Sequence, residues 1–242
     1  MPETRKCALC GAAPATTREH IPPESFFERP YPENLITVPS CEACNLGTQR
    51  DDEYALSYLV SRDFPGGSPT LEKVRDRVHR SLSRPQRPGL RQRLRDATEV
   101  RTTTDPKTGD TYIALATRPE GRRMLTVLRK QVRGIVYHVT HVIVPRSTFI
   151  VAERIYGNAV APTADADMWA AAAAEALRGE VDSRGDAFRF AYKSISKSAC
   201  VAVVYLEYWQ LYGYAALVFH PDFAPPQRVH LPFQRKRPAN PS

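Results

Sequence analysis

Two pairs of cysteines with C-x-x-C spacing constrain the fold of this chain more than any other feature. The pairs are Cys7/Cys10 and Cys41/Cys44. Two such pairs on tight turns supply four sulfur ligands in a tetrahedron around Zn²⁺, each bound at about 2.3 Å. Gly11 follows the first pair, where a zinc knuckle needs free backbone torsion. Since four cysteines leave no open coordination position, the sequence predicts a structural zinc that performs no chemistry itself.

Composition favours metal ligation over disulfide bonding. The N-terminal residues contain no apolar signal core, and no run of eighteen apolar residues occurs in the 242-residue chain. We therefore expect a cytoplasmic protein without a membrane span or a membrane partner, and in a reducing compartment paired cysteines bind metal. The fifth cysteine, Cys200, lies in an apolar run and is expected to be a core thiol.

The pattern of prolines, charges and apolar residues predicts an α+β chain of three parts. Residues 1–62 form the cysteine module, residues 63–96 a basic helical segment, and residues 97–242 an α+β domain. That domain is expected to have an antiparallel sheet with helices on one face, and to end in an extended basic tail. The predicted strands lie at 35–38, 187–195, 200–210 and 213–220, with a β-hairpin at 99–117, and the predicted helices at 45–62, 71–82, 90–96, 120–139 and 165–178.

Positive charge is concentrated in one segment. Residues 71–101 hold ten Lys/Arg and four Asp/Glu, so this window carries +6 of the formal net charge of +8. Nine of the ten cations are arginine, whose planar fork suits phosphate. The alternative is a solvated helix face. The predicted nucleic-acid contacts are Arg18, Arg50, Lys73, Arg75, Arg77, Arg80, Arg84, Arg87, Arg91, Arg93 and Arg95.

Three polar residues accompany the cysteines. Glu19 and His20 lie between the two pairs, and Asn45 directly follows the last cysteine. A metal bound by both pairs would bring these distant residues together. Carboxylate and amide oxygens suit a hard cation, and an imidazole titrates near neutral pH.

The order of these residues resembles the HNH endonuclease family, in its ββα-metal subgroup with a four-cysteine zinc. That subgroup has a C-x-x-C pair, an acid–histidine pair followed by a proline, Asn-Leu, and a second C-x-x-C followed by Asn. The resemblance covers about residues 7–60 and nothing beyond them. Glu19 departs from it, because aspartate is more frequent there, and Thr48 stands where relatives often carry lysine.

The resemblance implies a metal-dependent endonuclease that cuts DNA, with double-stranded DNA as the default substrate. His20 would be the general base, and Glu19 and Asn45 would bind a catalytic Mg²⁺ or Mn²⁺. Asn34 would orient the loop that holds the histidine. Two functions stay open at this point: this nuclease, and a zinc-knuckle protein that binds nucleic acid without cutting it.

Two further expectations concern charge and assembly. The acid run Asp51, Asp52 and Glu53 opens a predicted helix, and we interpret it as compensating the helix macrodipole rather than as a second metal site. A homodimer formed through the C-terminal domain is also open.

Overall fold

The structure is a computed structural model that describes residues 5–61, 68–84, 88–104, 109–156, 165–195 and 199–224. It combines helices with antiparallel sheets, as the sequence predicts for the α+β class. The strands are β1 (Thr17–Ile21), β2 (Ile36–Ser40), β3 (Thr98–Thr104), β4 (Thr111–Thr117), β5 (Ile150–Tyr156), β6 (Glu180–Arg184), β7 (Phe188–Ser194), β8 (Cys200–Tyr208) and β9 (Tyr212–Phe219). The helices are α1 (Glu42–Leu46), α2 (Gln49–Val60), α3 (Pro69–Leu82), α4 (Pro88–Asp96), α5 (Gly121–Thr140) and α6 (Ala166–Ala176).

The N-terminal part is a β-hairpin followed by helices. β1 and β2 pair antiparallel, with Thr17 opposite Ser40 and Ile21 opposite Ile36. Because side chains alternate between the two faces of a strand, Glu19 and Ile21 are buried while Arg18 is exposed and His20 half-buried. This alternation gives the neighbouring polar residues of β1 different degrees of burial.

Helix α5 joins the N-terminal part to the main sheet. Its apolar positions recur at helical spacing, as the sequence predicts, and its long buried face packs against α2, β1, β2, β5 and β7. Gly134 permits a close approach of α5 to β1, since a Cβ there would lie 2.5 Å from Cγ1 of Ile21. One hydrophobic cluster consequently extends from Cys7 to Val218. The predicted division of the chain after residues 62 and 96 stays a prediction. The hydrophobic cluster nevertheless contains residues from all three predicted parts.

The five-stranded sheet has the order β5-β9-β8-β7-β6 and is antiparallel throughout. The expectation of helices on one face only is wrong. Strands β8 and β9 carry apolar side chains on both faces of the sheet. Helix α5 covers one face and α6 covers the other, where Trp169 is part of a second hydrophobic cluster. The described helices include none with the length and apolarity that a membrane span requires.

The predicted helix at 45–62 is correct only in part. The structure has two helices there, α1 from Glu42 and α2 from Gln49, separated at Gly47 and Thr48. Strands β1, β5 and β6 were not predicted, because their short and partly charged sequences lack a clear apolar alternation. The tip of the predicted hairpin at 99–117 and the tail after residue 224 lie outside the described residues.

Candidate metal centre and cleft

The four predicted zinc ligands form one cluster. Their sulfur atoms all lie within 4.8 Å of one another, and Sγ of Cys10 is 4.0 Å from Sγ of Cys41. A tetrahedral site with metal–sulfur bonds of about 2.3 Å has sulfur–sulfur edges of about 3.8 Å. The cysteines are therefore placed to bind a structural metal such as zinc after a small contraction.

Local backbone geometry creates the two turns that carry these sulfurs. In the first turn, the amide of Gly11 donates to the carbonyl of Cys7 at 2.8 Å, and Gly11 has φ +71°, which only glycine adopts without strain. In the second turn, the amides of Cys44 and Asn45 donate to the carbonyl of Cys41 at 3.1 and 3.0 Å. The second pair thus lies on the first turn of α1.

The thiols influence one another's ionisation. Burial opposes ionisation of Cys10, but hydrogen bonds from the backbone of Ala13 and Ala12 and from neighbouring thiols lower its pKa to about 7. Burial, together with the adjacent thiols, raises the pKa of Cys44. A bound metal would supply positive charge that stabilises the thiolate forms of these cysteines.

A cleft of about 540 Å³ brings the predicted catalytic residues together. It lies between β1, α2 and α3, and we call it the His20 cleft. Three residues predicted from sequence line it, namely Glu19, His20 and Asn45. Its polar lining also includes Arg18, Glu24, Asp52, Glu53 and Arg77.

The imidazole of His20 faces a carboxylate. Its side chain is 33% exposed. Its Nε2 lies 3.4 Å from Oε1 of Glu24, four residues later in the chain. This carboxylate favours a proton on Nε2, which leaves Nδ1 as the nitrogen able to accept one.

Asn45 connects α1 to β1 through its amide nitrogen. Nδ2 donates to Oγ1 of Thr17 at 3.2 Å and to the carbonyl of Arg18 at 3.0 Å. Because both bonds use the nitrogen, Oδ1 has no hydrogen-bond partner within the described ranges. The two bonds hold the side chain of Asn45 against β1.

Glu19 belongs to a buried ion-pair network that the sequence analysis missed. Nζ of Lys130, on α5, lies 2.9 Å from Oε1 of Glu19 and 2.5 Å from Oδ2 of Asp52, and it donates to Oγ1 of Thr48 at 3.1 Å. All three charged side chains are less than 10% exposed. Burial raises the pKa of both carboxyls, and the ammonium opposes this. Asp52 therefore does more than compensate a helix dipole.

Replacing Lys130 with methionine is expected to destabilise the protein by about 3–5 kcal/mol, because it leaves two carboxylates buried without a counterion. Raised pKa values mean that these carboxyls favour folding when protonated and oppose it as pH rises through their folded-state pKa. The loss should therefore be largest near neutral pH and smaller in acid. Urea unfolding at pH 5 and pH 8 measures both effects.

Lys193→Met provides the matched control. Nζ of Lys193 also lies 2.5 Å from a carboxylate oxygen, that of Glu175, but both side chains are about one-third exposed. Because solvent screens this pair, we expect a much smaller loss of stability than in Lys130→Met. Equal losses in the two variants would contradict the role assigned to the buried network.

Asn34 lies apart from the His20 cleft. It is exposed, and its Nδ2 donates to the carbonyl of Ser183 on β6 at 3.2 Å. The structure thus gives Asn34 a bond to the main sheet rather than to the loop that holds His20. Its predicted orienting role stays a prediction.

The predicted nucleic-acid contacts differ in what their side chains do. Arg77 donates to the carbonyls of Ser25 and Phe27 at 2.6 and 3.0 Å, and Arg75 donates to the carbonyl of Val60 at 3.2 Å, so both tie α3 to the fold. Arg18 and Arg50 are exposed, and Arg93 lies 3.8 Å from Glu120. Arg87 lies outside the described residues. Exposed cations with no ion pair to another described residue are Lys73, Arg80, Arg84, Arg91 and Arg95.

Comparisons of the chain with protein-family models, with curated proteins and with solved structures found no match. The family resemblance therefore depends on the residues and spacing between positions 7 and 60 and on nothing outside them.

Proposed function

We propose that this chain is a metal-dependent endonuclease of the HNH type that hydrolyses phosphodiester bonds in DNA. The observation that carries the proposal is the convergence of Glu19, His20 and Asn45 on one cleft beside the four-cysteine cluster. Cys44 and Asn45 are consecutive on α1, so a metal bound by the cysteines would also hold Asn45 against β1.

Two residues that line the cleft offer oxygen ligands that suit a hard divalent cation. Oε2 of Glu19 and Oδ1 of Asn45 have no hydrogen-bond partner in the described part of the chain. Among those residues, the cysteines are the one group of three or more His, Cys, Asp or Glu close enough to share an ion. Mg²⁺ suits a site with few protein ligands, because it usually keeps several waters and binds substrate phosphate. When bound by Glu19 and Asn45, Mg²⁺ or Mn²⁺ would stabilise negative charge on the phosphate and on the departing 3′ oxygen.

His20 acts as the general base in this proposal. Its Nδ1 takes a proton from a water molecule, and the resulting hydroxide attacks the phosphorus. Glu24 stabilises the imidazolium that forms, since its carboxylate already faces Nε2. The proton therefore moves to the ring nitrogen opposite the one that faces a carboxylate.

The charged neighbours of the cleft have separate tasks. Lys130 holds the carboxylate of Glu19 from the buried side, which leaves Oε2 as the oxygen available to the cation. Arg18 is exposed on the cleft and suits a phosphate oxygen of the bound strand.

Incubation of supercoiled plasmid with the purified chain tests the proposal. We expect nicking with Mg²⁺ or Mn²⁺, and no nicking after dialysis into buffer that contains neither cation, a step that leaves the tightly bound structural zinc in place. Parallel reactions with single-stranded DNA and RNA define the substrate. Binding of DNA without cutting under all of these conditions would favour the zinc-knuckle protein instead.

A further inference from the structure

A second cleft lies on the opposite side of the α1–α2 junction from the His20 cleft. It has a volume of about 620 Å³ and lies between α1, α5 and the segment before β5. Six cationic side chains line it, against the two acids Asp51 and Glu120. Two of the six have carboxylate partners: Arg123 pairs with both of these acids at 3.0 Å, and Lys130 with Glu19 and Asp52. The other four are Arg122, Arg129, Arg133 and Arg146, and we call this cavity the arginine cleft after them.

The four arginines have no carboxylate within ion-pair distance among the described residues. Arg133 is only 8% exposed, and its guanidinium donates to the carbonyls of Arg129, Arg146 and Thr148. Its Nε is buried without a hydrogen-bond partner. Burial, reinforced by the neighbouring Arg129 and Arg146, lowers the pKa of Arg133 to about 10, and burial also lowers the pKa of Arg129.

Such an arrangement is unfavourable unless an anion joins it. Burying a guanidinium without a counterion costs free energy, and like charges nearby add to that cost. Arginine forks match phosphate oxygens in pairs, whereas the carbonyls that now accept from Arg133 do not neutralise its charge. The charge of the arginine cleft and the chemistry of its guanidinium groups therefore both fit a phosphate group.

The position of the cleft indicates which phosphate. Lys130 lines the arginine cleft, and its Nζ lies 2.9 Å from Glu19, which lines the His20 cleft. The ion pair between Lys130 and Glu19 thus connects the two clefts. The arginine cleft is therefore a neighbour of the proposed cutting site, where a DNA backbone presents its phosphates.

We propose that the arginine cleft binds phosphate groups of a DNA backbone. The identity of the strand follows from the proposed function, but binding at the arginines does not require that the chain cut DNA. Because the contact is to phosphates and not to base edges, it should contribute equally for every sequence.

Binding is measured in the His20→Ala background, which keeps the DNA intact whether or not the wild-type chain cuts it. The test variant adds Arg122→Gln and Arg146→Gln, two exposed side chains whose loss leaves the core unchanged. We expect the affinity for a 30-base-pair duplex to fall roughly tenfold or more. The slope of log K against log salt should lose about 0.9 for each phosphate contact removed.

Arg178→Gln is the matched control. Arg178 is exposed and follows α6, on the sheet face turned away from α5, so its substitution removes one positive charge far from the cleft. The effects of the double variant are compared with this control per charge removed. A second test variant, Arg129→Gln, removes a half-buried member of the cleft, with its folding checked by thermal unfolding. We expect it to lose affinity and salt slope as well.

Two results would overturn the proposal. In the first, both test variants bind DNA with the same affinity and the same salt slope as the Arg178→Gln control. The second is a loss of zinc from the variants with unchanged DNA binding, because Cys44 also lines the cleft and its thiolate is near Arg133. The arginines would then be counterions of the metal–thiolate centre and not a phosphate site.

Discussion

Replacing His20 with alanine is expected to lower the rate of plasmid cleavage by about 10²–10⁴-fold, the usual contribution of a general base. The imidazole is one-third exposed and lines the cleft, so its truncation should leave the folded state and the metal content unchanged. Single-turnover cleavage with saturating Mg²⁺ measures the chemical step, and metal analysis of the same preparation measures zinc.

His79→Ala controls for the loss of an imidazole near the site. His79 is exposed on α3, the helix that forms one wall of the His20 cleft, but it does not line the cleft. We expect this variant to cut at the wild-type rate. A His20→Ala protein that cuts as fast as the His79→Ala protein would eliminate His20 as the base.

Loss of one zinc ligand is expected to have the largest effect on stability. Structural zinc contributes about 10 kcal/mol or more to small domains, which is comparable to the whole stability of a typical fold. Cys7 and Cys41 are buried within the main hydrophobic cluster, so their turns carry core residues as well as metal ligands. Cys41→Ser should therefore abolish stoichiometric zinc and cooperative unfolding of the N-terminal part.

Cys200→Ser is the control for the loss of a thiol. Cys200 is half-buried at the edge of the second cluster and lies apart from the other cysteines. This variant should keep one zinc per chain and nearly the wild-type unfolding midpoint. Equal zinc content and equal midpoints in the Cys41→Ser and Cys200→Ser proteins would show that the four cysteines do not form a structural metal site.

Elements dominated by local patterns could be predicted from the sequence. The apolar spacing of α5, the hairpin of β3 and β4, and the apolar strands β8 and β9 all lie within about two residues of their predicted limits. The break between α1 and α2 could not be predicted, because nothing in residues 45–62 other than Gly47 interrupts the helical pattern. Strand β1 forms because β2 pairs with its edge and α5 covers its buried face, and both partners are distant in sequence.

The residues of the candidate site likewise include some that the sequence revealed and some that only the tertiary structure revealed. By itself the sequence determined the cysteine pairs and the acid–histidine and asparagine residues, because C-x-x-C turns are local structures with a specific chemistry. Only the tertiary structure decided that Lys130 neutralises Glu19 and Asp52 across 111 and 78 residues of sequence, and that four arginines without carboxylate partners gather beside them. Contacts of that kind depend on how α5 packs against the hairpin, and no single segment of the chain carries a pattern for them.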